Sequence, residues 1–255
     1  MSADPDRAGW PAGFGRIVLD EVDSTSSEAA RRAGDLIAPT WILAHRQSAA
    51  RGRRGRPWIS APGNFAATLV MHPEGTPAAA ALRSFTAALA LAETLDGFLA
   101  GRGVVGLKWP NDVLLNGGKV AGILLESAGQ GARVAYLAIG IGVNLAAAPP
   151  AAALEPGASA PVSVAGETGV RIAPVAFLDR LAAAFARWET VLARDGFAPV
   201  RTAWLARAAR LGEVITARTF AETCQGRFDT IADDGALVLV TPSGKRHIAA
   251  AEVYF

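Results

Sequence analysis

Four guanidinium groups crowd into six residues in the run Arg51-Gly52-Arg53-Arg54-Gly55-Arg56, and an indole, Trp58, follows two positions later. Like charges this close repel one another unless anions lie among them, and guanidinium groups match the geometry of phosphate and carboxylate oxygens. Gly52 and Gly55 allow the backbone to approach such a ligand, because glycine has no Cβ to hold it away. The run therefore points to a polyphosphate site. Two other readings stand beside that one: a solvated basic loop, and a patch that contacts nucleic-acid phosphates.

The string Lys108-Trp109-Pro110-Asn111-Asp112 adds a cation, an amide and a carboxylate on backbone that proline holds extended. Lys119-Val120-Ala121-Gly122-Ile123-Leu124 opens an apolar strand with a lysine, whose charge calls for an anionic partner there. Taken alone, Lys119 reads as a stem running along the strand end to solvent, and Asp112 as a turn-capping carboxylate. Beside the arginine run they make a set of cations around a carboxylate and an amide, which suits a reaction in which anions must meet.

These residues need a frame. Arg16 to Asp20 alternates as a strand, and Thr25-Ser26-Ser27-Glu28 has capping-box spacing for a helix running towards Gly34. Trp41 to His45 and Phe65 to Met71 are β-prone, so the Arg-, Gly- and Pro-rich segment between them is an exposed loop. Ala78 to Leu99 has helical periodicity, with Glu93 and Asp96 on its polar side and Gly101 and Gly103 just past its end. Asn116-Gly117-Gly118 predicts a hairpin between Val113–Leu115 and Lys119–Glu126, because Asn and Gly tolerate positive φ. Arg133 to Val143 supplies another buried strand.

Ala146 to Pro161 is an Ala/Pro-rich surface excursion, after which helical spacing resumes over Pro174 to Arg194 and Pro199 to Arg210. From Leu211 the texture changes to short strands at Val214–Ala217, Thr223–Ile231, Ala236–Thr241 and Arg246–Val253. Asp233-Asp234-Gly235 and Pro242-Ser243-Gly244 supply the turns. The chain reads as two domains, residues 1–210 and 211–255, the second small and all-β.

A chain of 255 residues can bury a real core, and 51% hydrophobic against 19% charged residues describes a globular protein rather than a disordered one. A formal net charge of +2 gives the whole molecule no broad attraction for nucleic acid or membrane, so any basic site is local. The one cysteine, Cys224, has no disulfide partner and no neighbours at metal-ligand spacing, which suits a reducing, cytoplasmic compartment. Met1 to Trp10 holds Asp4, Pro5 and Asp6 and no apolar segment, so no secretion signal is expected. Val134 to Leu154 is uncharged and long enough to span a bilayer, but Gly140, Gly142, Asn144, Pro149 and Pro150 make it a buried strand followed by a loop.

Five strings in fixed order carry a family resemblance: Asp23-Ser24-Thr25, the arginine–glycine run with Trp58, the Lys108–Asp112 string, the Lys119–Leu124 string, and Gly140-Ile141-Gly142-Val143-Asn144. In type, order and spacing they resemble biotin protein ligase, strongly over Val18 to Asn144 and weakly beyond, and five ordered motifs make chance agreement far rarer than one does. The resemblance implies an α+β fold: a mixed β-sheet flanked by helices, like that of class II synthetases and biotin/lipoate ligases, then a small SH3-like β-barrel domain. It implies ATP, Mg²⁺ and biotin as ligands. The implied partner is the biotin carboxyl carrier domain of a biotin-dependent carboxylase, with no DNA and no membrane, and a homodimer stays open. Two departures stand out: the family's Ser-Thr-Asn reads Ser24-Thr25-Ser26, and its glycine before the first loop arginine is Ala50. Only about 15 residues precede the first strand, too few for the helix-turn-helix repressor domain of some members, so no repressor function is expected.

By this resemblance the biotin carboxylate attacks the α-phosphorus of ATP, giving biotinyl-AMP and pyrophosphate. Arg51, Arg53 and Lys119 contact carboxylate and phosphates and supply electrostatic stabilisation, while phosphate oxygens rather than certain protein ligands hold Mg²⁺. Ser24, Thr25, Gln47, Gly52 and Gly122 complete the biotin side with Arg51 and Lys119. The nucleotide side takes Arg53, Arg54, Arg56, Trp58, Asn111, Lys119 and Asn144, although Trp58 also reads as a core residue and Asn144 as a turn residue. The arginine–glycine loop orders over the hydrolysis-prone anhydride. The acceptor lysine, mostly protonated at neutral pH with a pKa near ~10.4, then attacks the acyl carbon, and Asp112 orients or deprotonates it. Two alternatives remain open: a lipoate–protein ligase using the same adenylate logic, and a nucleic-acid-binding protein with steeply salt-sensitive binding.

Overall fold

The protein is described by a computed structural model over residues 9–130, 133–150 and 159–255. Seven strands form the larger sheet: β1 Gly15–Val22, β2 Thr40–Gln47, β3 Phe65–Met71, β4 Val105–Lys108, β5 Asp112–Leu115, β6 Gly118–Gln130 and β7 Arg133–Val143. Their order is β1-β2-β3-β7-β6-β5-β4. β1 and β2 pair parallel and the other neighbours antiparallel, so the sheet is mixed as expected. The Asn116-Gly117 turn links β5 to β6 with φ of 51° and 85°, the two positive values that a two-residue type I′ hairpin requires.

Six helices accompany the strands: α1 Thr25–Arg32, α2 Pro77–Ala81, α3 Arg83–Leu99, α4 Val164–Thr168, α5 Pro174–Asp195 and α6 Phe197–Leu205. Strand alternation divides them between the two faces. Phe65, Ala67, Leu69 and Met71 of β3 join one core with α3 and α5, where the Phe65 and Phe177 rings sit 5.0 Å apart. Val70 turns the other way and packs with Ala29 of α1, Ala33 just past the end of that helix, and Ile42 of β2. Every residue of β3 is therefore buried. The α2–α3 run is long and apolar enough to cross a membrane by length and composition, yet its most apolar window is 61% buried in this fold.

Several expectations need correction. The helix expected over Ala78–Leu99 is two helices, because a three-residue turn at Leu82 takes the Phe85 amide onto the Leu82 carbonyl. No capping box forms at α1. Ser24 is the N-cap without a side-chain bond, the Thr25 hydroxyl is committed to Gln47, and Glu28 is committed to Arg31 and Arg32. α6 stops at Leu205 rather than Arg210 because Arg207 to Ala209 leave the helix to bond along the edge of β4. The short α4 has no counterpart in the sequence reading. Residues 151–158 of the Ala146–Pro161 excursion, and residues 1–8 of the N-terminal stretch, lie outside the described residues.

The second sheet comprises β8 Val214–Arg218, β9 Thr223–Ile231, β10 Leu237–Thr241, β11 Gly244–Ile248 and β12 Glu252–Tyr254, in the order β11-β10-β9-β8-β12 and wholly antiparallel. Its core holds Ile215, Phe228, Ile231, Leu237, Leu239 and Val253. The single strand expected over Arg246–Val253 is two strands. β11 finishes on β10, and the chain then crosses to cover the open edge of β8, which buries Ala251 and Val253 and delivers Glu252 to the larger domain.

Candidate active site

One transverse row of the large sheet runs Ala66, Gly142, Gly122, Asp112 and Lys108, each paired with the next across β3, β7, β6, β5 and β4. Directly paired residues project from the same face of a sheet. The row is thus a floor of small residues ending in a carboxylate and an ammonium group. In the neighbouring row, Thr68, Gly140 and Leu124, the last two widen it. A cavity of about 390 Å³ opens above this floor, on the face away from α3 and α5, within the size range of small-molecule sites.

The arginine–glycine loop forms one wall. Its stem is pinned by the Trp58 amide on the Ala50 carbonyl and by the Gly52 amide on the Arg56 carbonyl, at 2.9 and 2.7 Å. Gly55 at the tip has φ of 71° and Arg54 has φ of 58°, an unusual value for a side-chain-bearing residue. The four arginines separate accordingly. Arg51 donates to Ser27 Oγ at 2.8 Å and lies 3.3 Å from Glu126. Arg53 is turned inward and donates to Asn111 Oδ1 at 3.2 Å. Arg54 and Arg56 both reach Glu252 Oε1 at 3.2 Å.

Trp58 lies over the glycine floor. A Cβ on Gly142 would sit 2.6 Å from the indole, and one on Gly122 would sit 3.3 Å from it, so these glycines make the slot that the ring fills. The Trp58 Nε1–H is buried in that slot and has no hydrogen-bond partner among the described residues. Lys119 Nζ stands 5.8 Å from the ring centroid.

Lys119 Nζ also lies 2.6 Å from Asp112 Oδ1. Lys108, at 6% exposure, donates to Ser159 Oγ at 2.9 Å and lies 4.5 Å from the Phe255 ring. Burial is the main influence that lowers the Lys108 pKa from the ordinary lysine value; nearby Asp112 partly offsets it, Lys119 adds to it, and Glu252 offsets it slightly. Burial likewise lowers the Arg53 pKa, against the pull of Asp112. Asn111 donates through Nδ2 to the Ile123 carbonyl at 2.7 Å, which holds the string following the cis Trp109–Pro110 bond against β6. The Trp109 indole donates to the Gly235 carbonyl and ties the same string to the second sheet.

At the far end, α1 presents Ser24, Thr25 and Ser26, all buried, opposite Gln47. Gln47 Oε1 accepts from the Thr25 amide at 2.8 Å and the Thr25 hydroxyl at 3.1 Å. Asp23 caps the Ser24 amide at 2.7 Å while holding Arg31 through both carboxylate oxygens, and hydrogen bonds from Arg31 and Ser24 keep its carboxyl well below the usual carboxylate range.

The cavity brings together Ser24, Thr25, Gln47, Arg51, Gly52, Arg53, Arg56, Trp58, Asn111, Asp112, Lys119, Gly122 and Asn144. Of the residues singled out from sequence, Arg54 is absent from the lining; from the left-handed tip of the loop it pairs with Glu252. Asn144 also differs in emphasis. Its amide is 2% exposed and bonds the Val162 carbonyl, so it pins the segment after the excursion as well as bordering the cavity. Sequence reasoning missed Lys108 as a site residue, Ser159, and the C-terminal Glu252 and Tyr254, all of which line the cavity. For Lys108 the signal was its place in a cation-amide-carboxylate string; Glu252 carried no local signal.

Among the described residues five cationic side chains, Arg51, Arg53, Arg56, Lys108 and Lys119, face two carboxylates, Asp112 and Glu252, around this cavity. That excess suits a ligand with several negative charges. Among the described residues no group of three or more His, Cys, Asp or Glu converges as a metal site.

Residues 19–144 match the biotin/lipoate A/B protein ligase family, and residues 211–255 match the biotin protein ligase C terminal domain. The chain is 57% identical over 238 residues, 93% of its length and 99% of the relative's, to a biotin–acetyl-CoA-carboxylase ligase of Paracoccus denitrificans. It is 30% identical over 241 residues, 93% of its length and 73% of the relative's, to the bifunctional ligase/repressor BirA of Bacillus subtilis. In fold it is similar to the biotin protein ligase of Aquifex aeolicus in complex with biotin and ATP, with a TM-score of 0.77 at 22% identity over 94% of this chain and 97% of that one. Both domains match, and the similarity to the Paracoccus enzyme runs nearly end to end: the chain belongs to the biotin protein ligases of the biotin/lipoate A/B protein ligase family.

Proposed function

We propose that this cavity is where the chain, an ATP-dependent biotin–acetyl-CoA-carboxylase ligase, makes biotinyl-5′-AMP and passes the biotinyl group to a lysine of a biotin carboxyl carrier domain. The gathering of Arg53, Lys108 and Lys119 around Asp112, above a floor of glycines, carries this reading. Residues 1–210 form the catalytic domain and residues 211–255 a C-terminal domain that completes the nucleotide wall through Glu252.

In the first half-reaction a carboxylate oxygen attacks the α-phosphorus, a C–O–P bond forms, and pyrophosphate leaves with the electron pair of the broken P–O bond. Lys119 and Arg53 offset the repulsion between the two acids, an electrostatic contribution that a half-buried site makes stronger than water would allow. Arg51 stands at the rim between Ser27 and Glu126, and Arg56 with Lys108 extends the cationic wall for the phosphates. Among the described residues both cavity carboxylates are paired with cations, so Mg²⁺ would come with its ATP substrate and would supply charge that offsets the phosphates. Ser24, Thr25 and Gln47 offer hydroxyl and amide groups to the ureido ring, and the glycine floor accepts the flat bicyclic system.

In the second half-reaction the acceptor amine attacks the acyl carbon and AMP departs. Asp112, on a short strand beside Lys119, is positioned to accept a proton from that amine. Cys224, free and buried in β9, suits the reducing cytoplasm we assign to the enzyme.

ATP–pyrophosphate exchange with biotin and with lipoate tests the reading, followed by incubation with ATP, Mg²⁺, biotin and a carrier domain. The expected result is exchange driven by biotin and a carrier mass increased by one biotinyl group. Exchange driven by lipoate alone would assign the chain to the other branch of its family.

A further inference from the structure

β3 is apolar except at Thr68, which is fully buried and sits behind the cavity rather than on its wall. Its hydroxyl donates to Thr25 Oγ1 at 2.9 Å and lies 3.4 Å from Ser26 Oγ. The direction of this chain follows from its end. The Thr25 amide can only donate, so the Gln47 atom that receives it is the carbonyl oxygen. That oxygen also takes the Thr25 hydroxyl proton, so Thr25 Oγ1 is left as an acceptor and Thr68 must supply its hydrogen there. Thr68 in turn is left as an acceptor, and Ser26 donates to it. Each hydroxyl has one hydrogen, so a single polarity runs Ser26 to Thr68 to Thr25 to Gln47.

Gly140 makes room for this chain. A Cβ at that position would lie 2.9 Å from Ser26 Oγ and 3.6 Å from Thr68 Oγ1. The serine that replaces the family's asparagine at position 26 is therefore a working member of a buried relay.

We propose that Thr68 is a positioning and specificity residue that acts through Thr25 and Gln47: by fixing the relay it commits the Gln47 carbonyl inward and turns the Gln47 NH₂ group to the cavity as a donor. The ring that this end accepts is one carrying a carbonyl acceptor, as a cyclic urea does and a dithiolane does not. The inference rests on the proposed function above, since it takes biotin as the ligand whose ring reaches Gln47.

Calorimetric titration of biotin into the ATP-free protein, and ATP–pyrophosphate exchange, test it with Thr68→Val, Thr68→Ser and Ser26→Ala. Thr68→Val keeps the shape and removes the relay; biotin affinity is expected to fall about tenfold, equivalent to ~1.4 kcal/mol. The KM for ATP is expected to stay within about twofold, because the nucleotide side shares none of these bonds. Thr68→Ser restores the hydroxyl and is expected to bind biotin as the wild type does. Ser26→Ala removes only the terminal donor and is expected to lie between the two. Wild-type affinity in Thr68→Val, equal losses for biotin and ATP, or a larger loss in Ser26→Ala than in Thr68→Val would each overturn the relay while leaving the ligase reading intact. A wild-type protein that binds no biotin would overturn both. Should Thr68→Val fail to fold, the ranking of Thr68→Ser above Ser26→Ala still decides: no difference between them overturns the proposal.

Discussion

Lys119 Nζ and Asp112 Oδ1 lie 2.6 Å apart, from adjacent strands, so the cation assigned to the first half-reaction is held by the carboxylate assigned to the second. A ligand carboxylate or phosphate has to compete with Asp112 for Lys119, and winning that contest frees Asp112 for the incoming amine. Lys119→Ala is expected to slow biotin-dependent pyrophosphate exchange by roughly 10²–10³-fold, the scale of losing one preorganised charge-stabilising group. Asp112→Asn should leave exchange within about tenfold and slow transfer from preformed biotinyl-AMP by roughly 10²-fold, the scale of a general base. Measuring the half-reactions separately checks the assignment; equal losses in both would show that the pair works only as a structural unit.

What the sequence made legible was local. The Asn116-Gly117 hairpin and the bounds of β3, β7 and β9 follow from turn chemistry and β-prone composition within a few residues. The candidate cations Arg53 and Lys119, and the amide Asn111, were legible because they sit in strings whose composition is odd for a loop or a strand. What was hidden depends on contacts far apart in the chain. Glu252 reaches Arg54 and Arg56 from about 200 residues away, and nothing near it marks it. Tertiary bonding also overrode a sound local rule at α1, where Gln47 took the Thr25 hydroxyl that a capping box needs.

The fit between Trp58 and Gly142 is steric and so can be tested by volume. The position-142 backbone does not need glycine's positive φ, and the three atoms nearest to where a Cβ would lie all belong to the Trp58 indole, the first at 2.6 Å. Gly142→Ala should push Trp58 and the loop stem off the floor and lower pyrophosphate exchange by at least about tenfold, while Trp58→Ala/Gly142→Ala should be no worse than Trp58→Ala alone. That non-additivity, read from a double-mutant cycle, is the diagnostic result. Additive losses would mean that Gly142 matters for the ligand directly and not through Trp58.

Glu252 fastens the loop to the C-terminal domain. Its side chain is 18% exposed, and burial, which alone would raise its pKa, is outweighed by the Tyr254 hydroxyl and the three arginines Arg56, Arg54 and Arg53, which keep it ionised. Glu252→Gln keeps the shape and removes the charge. Its two arginine partners are about half exposed, so the loss should be near 1 kcal/mol, or roughly fivefold in the population of open loop. Trypsin cleavage within Arg51–Arg56 should accelerate to that extent in low salt and converge on the wild-type rate as salt screens the pairs. An unchanged cleavage rate at low salt would show that the stem bonds alone hold the loop.

Lysines are scarce in this arginine-rich chain: Lys108, Lys119 and Lys245 are the only three, so alkaline titration of the fold is simple to interpret. The folded-state pKa of Lys108 is lowered, first by burial and then by Lys119, with Asp112 and Glu252 offsetting part of the effect. The unfolded chain therefore binds more protons than the folded one between that lowered value and the ordinary lysine range, and unfolding free energy rises with pH across that window. Below the window both states carry the proton and Lys108 imposes its full burial cost. Lys108→Met removes the titrating group, so denaturant unfolding at a series of pH values should show wild-type stability climbing relative to the variant as pH increases. The same deprotonation removes a cation from the phosphate wall, so the wild-type KM for ATP should rise over that pH range while that of Lys108→Met, already elevated, stays flat. Parallel stability curves for the two proteins would mean that Lys108 titrates as an ordinary lysine and that its burial does not disfavour the charged form.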